Sequence, residues 1–129
     1  MIARGIRNNN PGNVRHGESW QGMAPTQTDS AFIQFQSPEW GIRAIVKILQ
    51  TYQKHGLTTI AQIISRWAPN TENDTPAYIK NVAWQCGVSP DDPIVLSDCM
   101  PTLIEAIIQQ ENGQQPYTVA EIEKAIALA

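Results

Sequence analysis

The sequence predicts a mostly helical domain of the α+β class, with about five helices and a small β hairpin or sheet near the N-terminus. Apolar residues recur at helical spacing along most of residues 37–129. The preceding residues are rich in Asn, Gly, Pro and Thr, a composition typical of turns. With 129 residues, of which 42% are hydrophobic, the chain has the size of one domain, 1–129, that can bury a core.

The predicted β element lies in the first third of the chain. Short candidate strands occupy residues 13–15 and 19–22, separated by Gly-containing turns. In residues 31–36, AFIQFQ, the side chains of Ala31, Ile33 and Phe35 alternate with their neighbours, as in a half-exposed strand. We expect these segments to form a small hairpin or sheet.

Two helices are predicted next. The first begins after Ser37, which can cap it, and ends at Gly56, which favours a helix stop. Thr59 and Gln62 have the spacing of a capping box and begin a second helix. That helix ends near Trp67, because Pro follows two residues later.

Three further helices are predicted in the second half of the chain. The third runs from Thr75 to a stop at Gly87, and the fourth covers about residues 101–111. Thr118 and Glu121 match a second capping box, which begins the fifth helix.

Charge and hydropathy exclude several classes of partner. The net charge is -3 and the pI is about 5.2, whereas nucleic-acid and membrane-surface binders usually carry a basic excess. No apolar run approaches the ~18 residues of a membrane span, and the opening MIARGIRNNNPG lacks the apolar core of a signal peptide. We therefore expect a protein made in a bacterial cytoplasm without a signal peptide, with no membrane insertion and no nucleic-acid partner.

The cysteines and histidines do not form a recognisable metal motif. Cys86 and Cys99 lack C-x-x-C spacing, and His16 and His55 do not cluster with them in the sequence. We expect neither a metal nor a cofactor. Buried free thiols are one interpretation of the two cysteines, and a disulfide formed outside the cell is the other.

Glu111 is an acid at the end of an apolar helical stripe. Ile104, Ile107, Ile108 and Glu111 follow one another at helical spacing on a single face. Burial and the negative end of the helix dipole both disfavour a charged carboxylate there, so the carboxyl is a candidate proton donor. A frayed helix edge that reaches water past Gly113 is the alternative, and the spacing does not decide between them.

The residues after this acid carry a family resemblance. Residues 111–117, ENGQQPY, resemble the E-S-G-x-x-P pattern at the catalytic glutamate of lytic transglycosylases and related lysozyme-like enzymes. In that family the glutamate ends a helix, as Glu111 is predicted to do. Asn112 stands where the family usually has Ser.

A second resemblance covers the N-terminal half. Residues 9–14 (NNPGNV), 20–22 (WQG) and 32–42 (FIQFQSPEWGI) are similar to segments that follow the catalytic glutamate in flagellar-type and autolysin-type glucosaminidases, as are residues 75–79 (TPAYI). Here the order is inverted, which a circular permutation would explain. The arrangement also resembles small phage and prophage proteins of the virion-associated or lysozyme-like type. The resemblance implies a single lysozyme-like domain in which Glu111 lies near residues 8–20 and 31–36.

The resemblance implies a peptidoglycan glycosidase. Such an enzyme, a muramidase or lytic transglycosylase, cleaves the β-1,4 bond between N-acetylmuramic acid and N-acetylglucosamine, with Glu111 as general acid/base. Glu39 and Asp29 are candidate second carboxylates, and the substrate's acetamido group can replace them. The simpler interpretations are a first-turn acid that stabilises a helix for Glu39 and a turn residue for Asp29.

Five residues are candidates for substrate binding. Trp20 and Tyr78 offer flat faces on which sugars stack, although most aromatic residues in a small domain belong to the core. Asn9, Asn10 and Asn13 offer amides for N-acetyl and hydroxyl groups, although an Asn-rich turn also explains them.

The expected partner is therefore the glycan strand of peptidoglycan. The protein is expected to act on the cell wall, as a monomer or in association with a phage particle, like an endolysin or a virion enzyme. The alternative function is a non-catalytic glycan-binding or phage virion structural module.

Overall fold

The computed structural model describes residues 2–71 and 73–129 and folds them into six helices. In chain order they are α1 (Arg4–Arg7), α2 (Pro38–Lys54), α3 (Ile60–Trp67), α4 (Thr75–Cys86), α5 (Leu96–Asn112) and α6 (Val119–Leu128). Helix α5 contacts α1, α2, α4 and α6, whereas α3 packs on α4 and α2 packs on α6. The end of α5 therefore lies where several chain segments meet.

The main core forms where the apolar faces of these helices meet. Ile45 and Leu49 of α2 and Ile104 and Ile107 of α5 have no exposed surface. Complete burial of such a side chain stabilises a fold by about 1.5–3 kcal/mol. The apolar stripes identified from helical spacing are thus the surfaces that join the helices.

The predicted helix ends are mostly confirmed. Both capping boxes form with their two reciprocal hydrogen bonds, Thr59 with Gln62 before α3 and Thr118 with Glu121 before α6. Helix α4 ends at Cys86, and the next residue, Gly87, is the predicted stop and adopts the left-handed conformation with φ of 69°. Short-range hydrogen bonding accounts for these three boundaries without reference to the rest of the fold.

One predicted cap does not form, and one helix start differs from the prediction. Ser37 precedes α2 in an extended conformation, but its side chain makes no capping hydrogen bond. Helix α5 begins at Leu96 and contains Pro101 in its second turn, so the predicted start at Pro101 is wrong. Leu96 and Met100 are buried and extend the apolar stripe towards the N-terminus. Burial of these two side chains offsets the hydrogen bond that the proline cannot make.

The predicted β hairpin or sheet is wrong. Among the described residues no strand forms, and the extended segments share two isolated antiparallel bridges, Arg15 with Phe32 and Met23 with Phe35. The prediction of an α+β, lysozyme-like domain is therefore corrected to an all-α class for the part of the chain that the structure describes.

Residues 31–36 form no ladder because successive backbone groups bond to different partners. The Ile33 N–H donates to the carbonyl of Val14 at 3.0 Å, while the Ile33 carbonyl accepts from the side chain of Asn10 at 2.8 Å. The next N–H, that of Gln34, donates to the side-chain oxygen of Gln27 at 2.8 Å. Side chains thus take positions that a neighbouring strand would occupy in a sheet.

The alternation expected in residues 31–36 is nevertheless present in the burial pattern. Ile33 and Phe35 are buried and form a small second core with Ala44 of α2. This core fixes the N-terminal segment against one face of α2. The half-buried residues packed around it are Val14, Trp20, Met23 and Trp40.

The Asn-rich turn, residues 8–13, lies directly on α2. Asn9 and Asn13 adopt the left-handed conformation with φ of 54° and 52°, which Asn tolerates better than most residues. A β-carbon at Gly41 of α2 would overlap the carbonyl oxygen of Asn9. Glycine at this position therefore permits the approach that brings Asn13 to the end of α5.

Candidate functional site

Glu111 lies in the last turn of α5, at the edge of the core. The helix ends at Asn112, and the next residue, Gly113, adopts the left-handed conformation with φ of 70° and donates its N–H to the carbonyl of Gln109. Ile107 and Ile108, one turn earlier, have no exposed surface, whereas Glu111 is half-buried. The acid therefore continues the apolar stripe to the point where that stripe reaches the surface.

Three hydrogen-bond donors converge on the carboxylate of Glu111. The side-chain amide of Asn13 donates to Oε1 at 3.3 Å, and Oε2 accepts from the indole of Trp67 at 3.4 Å and the hydroxyl of Tyr78 at 3.1 Å. We call Asn13, Trp67 and Tyr78 the donor cradle. Its members come from the Asn-rich turn, the end of α3 and the first turn of α4.

Tyr78 is the most buried member of the donor cradle. Its side chain is almost fully enclosed by the main core. Burial raises the pKa of its hydroxyl well above the usual range, and the negative charge of Glu111 raises it further. Tyr78 therefore stays protonated at physiological pH and remains a donor to Glu111.

A cavity of about 330 Å³ opens beside Glu111. Its walls come from the Asn-rich turn, the segment at Phe32, helix α2 and the end of α3. Glu111 thus lies near residues 8–20 and 31–36, as the two family-like segments together imply. Among the described residues, Glu111 is the one carboxylate in the lining. The other lining residues are Gly12, Asn13, Val14, Arg15, Phe32, Ile48, Tyr52, Trp67, Ala68, Pro69 and Asn73.

Asn112 ties the end of α5 to the Asn-rich turn. Its side-chain amide donates to the carbonyl of Pro11 at 2.8 Å and to that of Ile108 at 2.9 Å. The first bond crosses between the two family-like segments, and the second lies within the helix. Asn112 therefore helps to set the distance between Asn13 and Glu111.

The three candidate asparagines have different environments. Asn13 reaches both the cavity and Glu111. Asn10 is completely buried, and its amide bonds the backbone of Val14 and Ile33. Asn9 donates to the carbonyl of Phe35 at 3.2 Å and lines a separate polar cavity. The structure therefore brings Asn13 to Glu111, while Asn9 and Asn10 hold the segment that carries it.

Trp20 lies beside the Glu111 cavity and does not line it. The ring packs against the small second core of Ile33, Phe35 and Ala44. It also borders an adjoining cavity of about 580 Å³. Trp20 is thus at one end of a larger concave surface, with Glu111 at the other. Tyr78 lines neither cavity and is almost fully buried, so it offers no open face on which a sugar could stack.

Asp29 forms an ion pair and hydrogen bonds within the N-terminal segment. Its carboxylate forms a bidentate ion pair with Arg4, with distances of 2.6 and 2.7 Å. It also accepts hydrogen bonds from the Asn8 side chain and from the N–H groups of Ala31 and Phe32. The ion pair with Arg4, followed by these hydrogen bonds, holds the pKa of Asp29 well below its usual range. Asp29 does not line the Glu111 cavity.

Glu39 occupies the first turn of α2, where the helix dipole favours a negative charge. It is half-buried and close enough to Tyr117 to affect its hydroxyl. Burial, with smaller effects of the charges of Glu121 and Glu39, raises the pKa of Tyr117 to about 12. Glu39 does not line the Glu111 cavity either, so neither candidate second carboxylate is found there.

Trp67 is a site residue that the sequence did not single out. It ends α3 and packs against the main core with its ring, while its indole N–H reaches Glu111. Glu111 lies 44 positions further along the chain. Trp67 could only have been noted as an aromatic residue at a helix end followed by Pro69.

The described residues also limit two other types of site. No group of three or more His, Cys, Asp or Glu side chains in residues 2–71 and 73–129 is arranged to hold a metal ion. In the same part of the chain, none of the helices has the length and apolar character required to cross a membrane.

Comparisons with known proteins place the chain among phage proteins. None of the established protein-family models matches it. It is 45% identical over 127 residues to Protein P5 of Pseudoalteromonas phage PM2, and the match covers 95% of this chain and 79% of that protein. The expected similarity to phage proteins is thereby confirmed at this coarser level. The chain belongs to the protein family that includes Protein P5 of phage PM2.

Proposed function

We propose that this protein is a peptidoglycan glycosidase that cleaves the β-1,4 bond between N-acetylmuramic acid and N-acetylglucosamine, as a muramidase or a lytic transglycosylase. The observation that supports this most is the position of Glu111. A carboxylate at the end of an apolar helix stripe accepts three hydrogen bonds at the wall of a cavity of about 330 Å³. The segment that carries it, ENGQQPY, has the family-like pattern.

Glu111 acts as the acid in the first step. Its carboxyl gives a proton to the glycosidic oxygen while the bond from that oxygen to the sugar carbon breaks. Among the described residues the cavity has no second carboxylate, which favours attack by the acetamido oxygen of the muramic acid on that carbon. The Glu111 carboxylate then accepts a proton from water or from the sugar's own 6-hydroxyl. The oxygen that loses this proton bonds to the sugar carbon, and the acetamido oxygen leaves that carbon.

The donor cradle supports the charged form of Glu111 that exists between the two steps. Asn13, Trp67 and Tyr78 are neutral donors, so they stabilise the carboxylate without a competing ion pair. Bonds from three segments of the chain also restrict the rotation of the carboxyl group.

The similarity to a phage protein is consistent with association with a phage particle. Peptidoglycan glycan strands are the proposed partner, and the proposed place of action is the wall during phage entry or release. The protein acts as a monomer or as part of the phage particle.

A second candidate function is a non-catalytic glycan-binding or virion structural module. The same three hydrogen bonds favour it, because they connect the Asn-rich turn, α3 and α4 through a single acceptor on α5. In that case Glu111 would be a structural acceptor. Its replacement would then reduce stability, and the wild type would not cleave glycan.

The test compares the wild type with Glu111→Gln on purified sacculi. We expect the wild type to reduce turbidity and release muropeptides that mass spectrometry identifies, and the variant to release none above background. Glu123→Gln, on the exposed surface of α6, makes the same chemical change away from the cavity and serves as the matched control. Circular dichroism and thermal unfolding establish that each variant is folded.

The result also separates the two candidates. A folded Glu111→Gln variant with wild-type activity would contradict the assignment of Glu111 as the acid. A wild type that binds sacculi and releases no fragments would favour the non-catalytic module. The masses of the products distinguish hydrolysis, which adds water, from the formation of a 1,6-anhydro sugar.

A further inference from the structure

The cavity at Glu111 continues into the adjoining cavity of about 580 Å³. Val14, Arg15, Ile48 and Tyr52 line both. Because the two cavities share these walls, they adjoin, and we call the two together the groove, which extends from Glu111 towards Trp20. A groove of this length has room for more of a polymer than the sugar that contacts the acid.

The far part of the groove carries most of its charge. Arg15 of the N-terminal segment, Lys47 of α2 and Arg66 of α3 line it, and we call this part the basic arm. Glu18 is the acid among its described lining residues. The concentration of positive charge contrasts with the net charge of -3 for the whole chain. A concave basic surface on an acidic protein indicates a ligand with negative charge.

Arg15 marks the junction between the basic arm and the Glu111 cavity. It lines both parts, and its guanidinium lies 5.0 Å from the centre of the Phe32 ring. Phe32 belongs to the wall of the Glu111 cavity. A negatively charged group held in the basic arm would therefore be attached close to the sugar whose bond lies at Glu111.

We propose that the basic arm binds the carboxylates of the stem peptide that muramic acid carries. This inference rests on the proposed function, since it names the part of the peptidoglycan that the groove recognises beside the scissile bond. The stem peptide is attached at muramic acid, through an amide on its lactyl group, and carries free carboxylates. The sugars of a peptide-bearing strand have no charge of their own. The protein therefore selects peptide-bearing glycan over bare glycan.

Binding to two forms of peptidoglycan tests this selection. The Glu111→Gln variant is incubated with intact sacculi and with glycan strands from which an amidase has removed the stem peptides. The lactyl carboxyl groups that this cleavage frees are coupled to methylamine, so that the bare strands are uncharged. Both forms are immobilised on beads, and bound protein is measured by cosedimentation. Glu111→Asp is the second inactive variant if the glutamine variant does not fold. We expect stronger binding to the peptide-bearing form, with the difference reduced at high salt.

The double substitution Lys47→Gln/Arg66→Gln removes two positive charges from the basic arm. We expect it to weaken binding to peptide-bearing glycan roughly three- to tenfold, as for two partly exposed ion pairs, and to leave binding to bare glycan unchanged. Lys80→Gln/Lys124→Gln removes the same charge from exposed positions outside the groove and serves as the matched control. The control should bind both forms like the parent.

Three results would overturn the proposal. The first is equal binding of both glycan forms by the parent, and the second is an equal loss in the basic-arm and control variants. The third is binding to vesicles of anionic phospholipid that the basic-arm substitution abolishes while binding to sacculi is unaffected. The last result would assign the basic arm to a lipid surface.

The same measurements keep this proposal distinct from the proposed function. A wild type that releases no fragments, yet loses binding to peptide-bearing glycan on basic-arm substitution, would contradict the enzyme and support the stem-peptide site. A wild type that cleaves both glycan forms equally well, with no effect of the substitution, would support the enzyme and overturn the stem-peptide site.

Discussion

Asn10 should be one of the strongest stability determinants outside the apolar core. Its side chain is fully buried and forms three hydrogen bonds to the backbone. The amide donates to the carbonyls of Val14 and Ile33, and its oxygen accepts from the N–H of Val14 at 2.9 Å. The substitution Asn10→Ala removes all three bonds and leaves their partners in place.

The cost follows from the groups that are left without a partner. Ile33 is completely buried, so water cannot replace the lost bond to its carbonyl. Val14 is half-buried, and water recovers part of the loss there. With a cost of roughly 1–3 kcal/mol for each unsatisfied buried group, Asn10→Ala should destabilise the fold by about 2–4 kcal/mol. An unfolding entropy of about 2.1 cal/mol/K per residue converts this to a Tm lower by roughly 7–15 °C.

Thermal unfolding followed by circular dichroism, with urea titration as a second measure, checks this value. Asn81→Ala is the matched control because Asn81 is exposed on α4, and its effect should stay within about 0.5 kcal/mol. Asn10→Asp keeps the shape, replaces a donor by a charged acceptor facing two carbonyls, and should destabilise at least as much. A Tm shift of less than about 2 °C for Asn10→Ala would refute the reasoning, since it would mean that the orphaned groups find other partners.

Three further predictions concern the surroundings of the site. Gly41→Ala should destabilise the fold by about 1–3 kcal/mol, because the added β-carbon meets the Asn9 backbone, even though alanine is the better helix former. Urea titration measures this change, and an unchanged midpoint would contradict the close approach. Because its pKa is depressed in the folded state, ionised Asp29 stabilises the fold. This stabilisation is complete above the pKa of the unfolded state, roughly 3.9, and is lost as the pH falls through the lower pKa of the folded state. Urea midpoints from neutral to acidic pH should therefore fall less steeply for Asp29→Asn than for the wild type, and parallel profiles would oppose this role. Tyr78→Phe removes one donor to Glu111, and it should cost about 0.5–1.5 kcal/mol of stability and slow the release of muropeptides. Wild-type rates in this variant would exclude Tyr78 from the donor cradle's function.

The sequence predicted the helices well where the signal is local. A capping box satisfies N–H groups only three residues apart, so Thr59 with Gln62 and Thr118 with Glu121 locate their helix starts in any fold. The start of α5 was missed because proline usually lies in the first turn of a helix, whereas here burial of Leu96 and Met100 extends the helix to the N-terminal side of Pro101. The β element was predicted wrongly because alternation indicates burial on one side and does not say which groups bond the backbone.

For the candidate site, the sequence by itself determined that Glu111 ends an apolar helix face, because helical spacing is a short-range property. The tertiary structure decided what surrounds the acid, since the members of the donor cradle lie 98, 44 and 33 positions away from it. It also decided that Asp29 pairs with Arg4 and that Asn10 is a buried support, which an Asn-rich segment alone does not show. Hydrogen bonds between distant segments depend on how the helices pack, and packing is set by the whole buried surface at once.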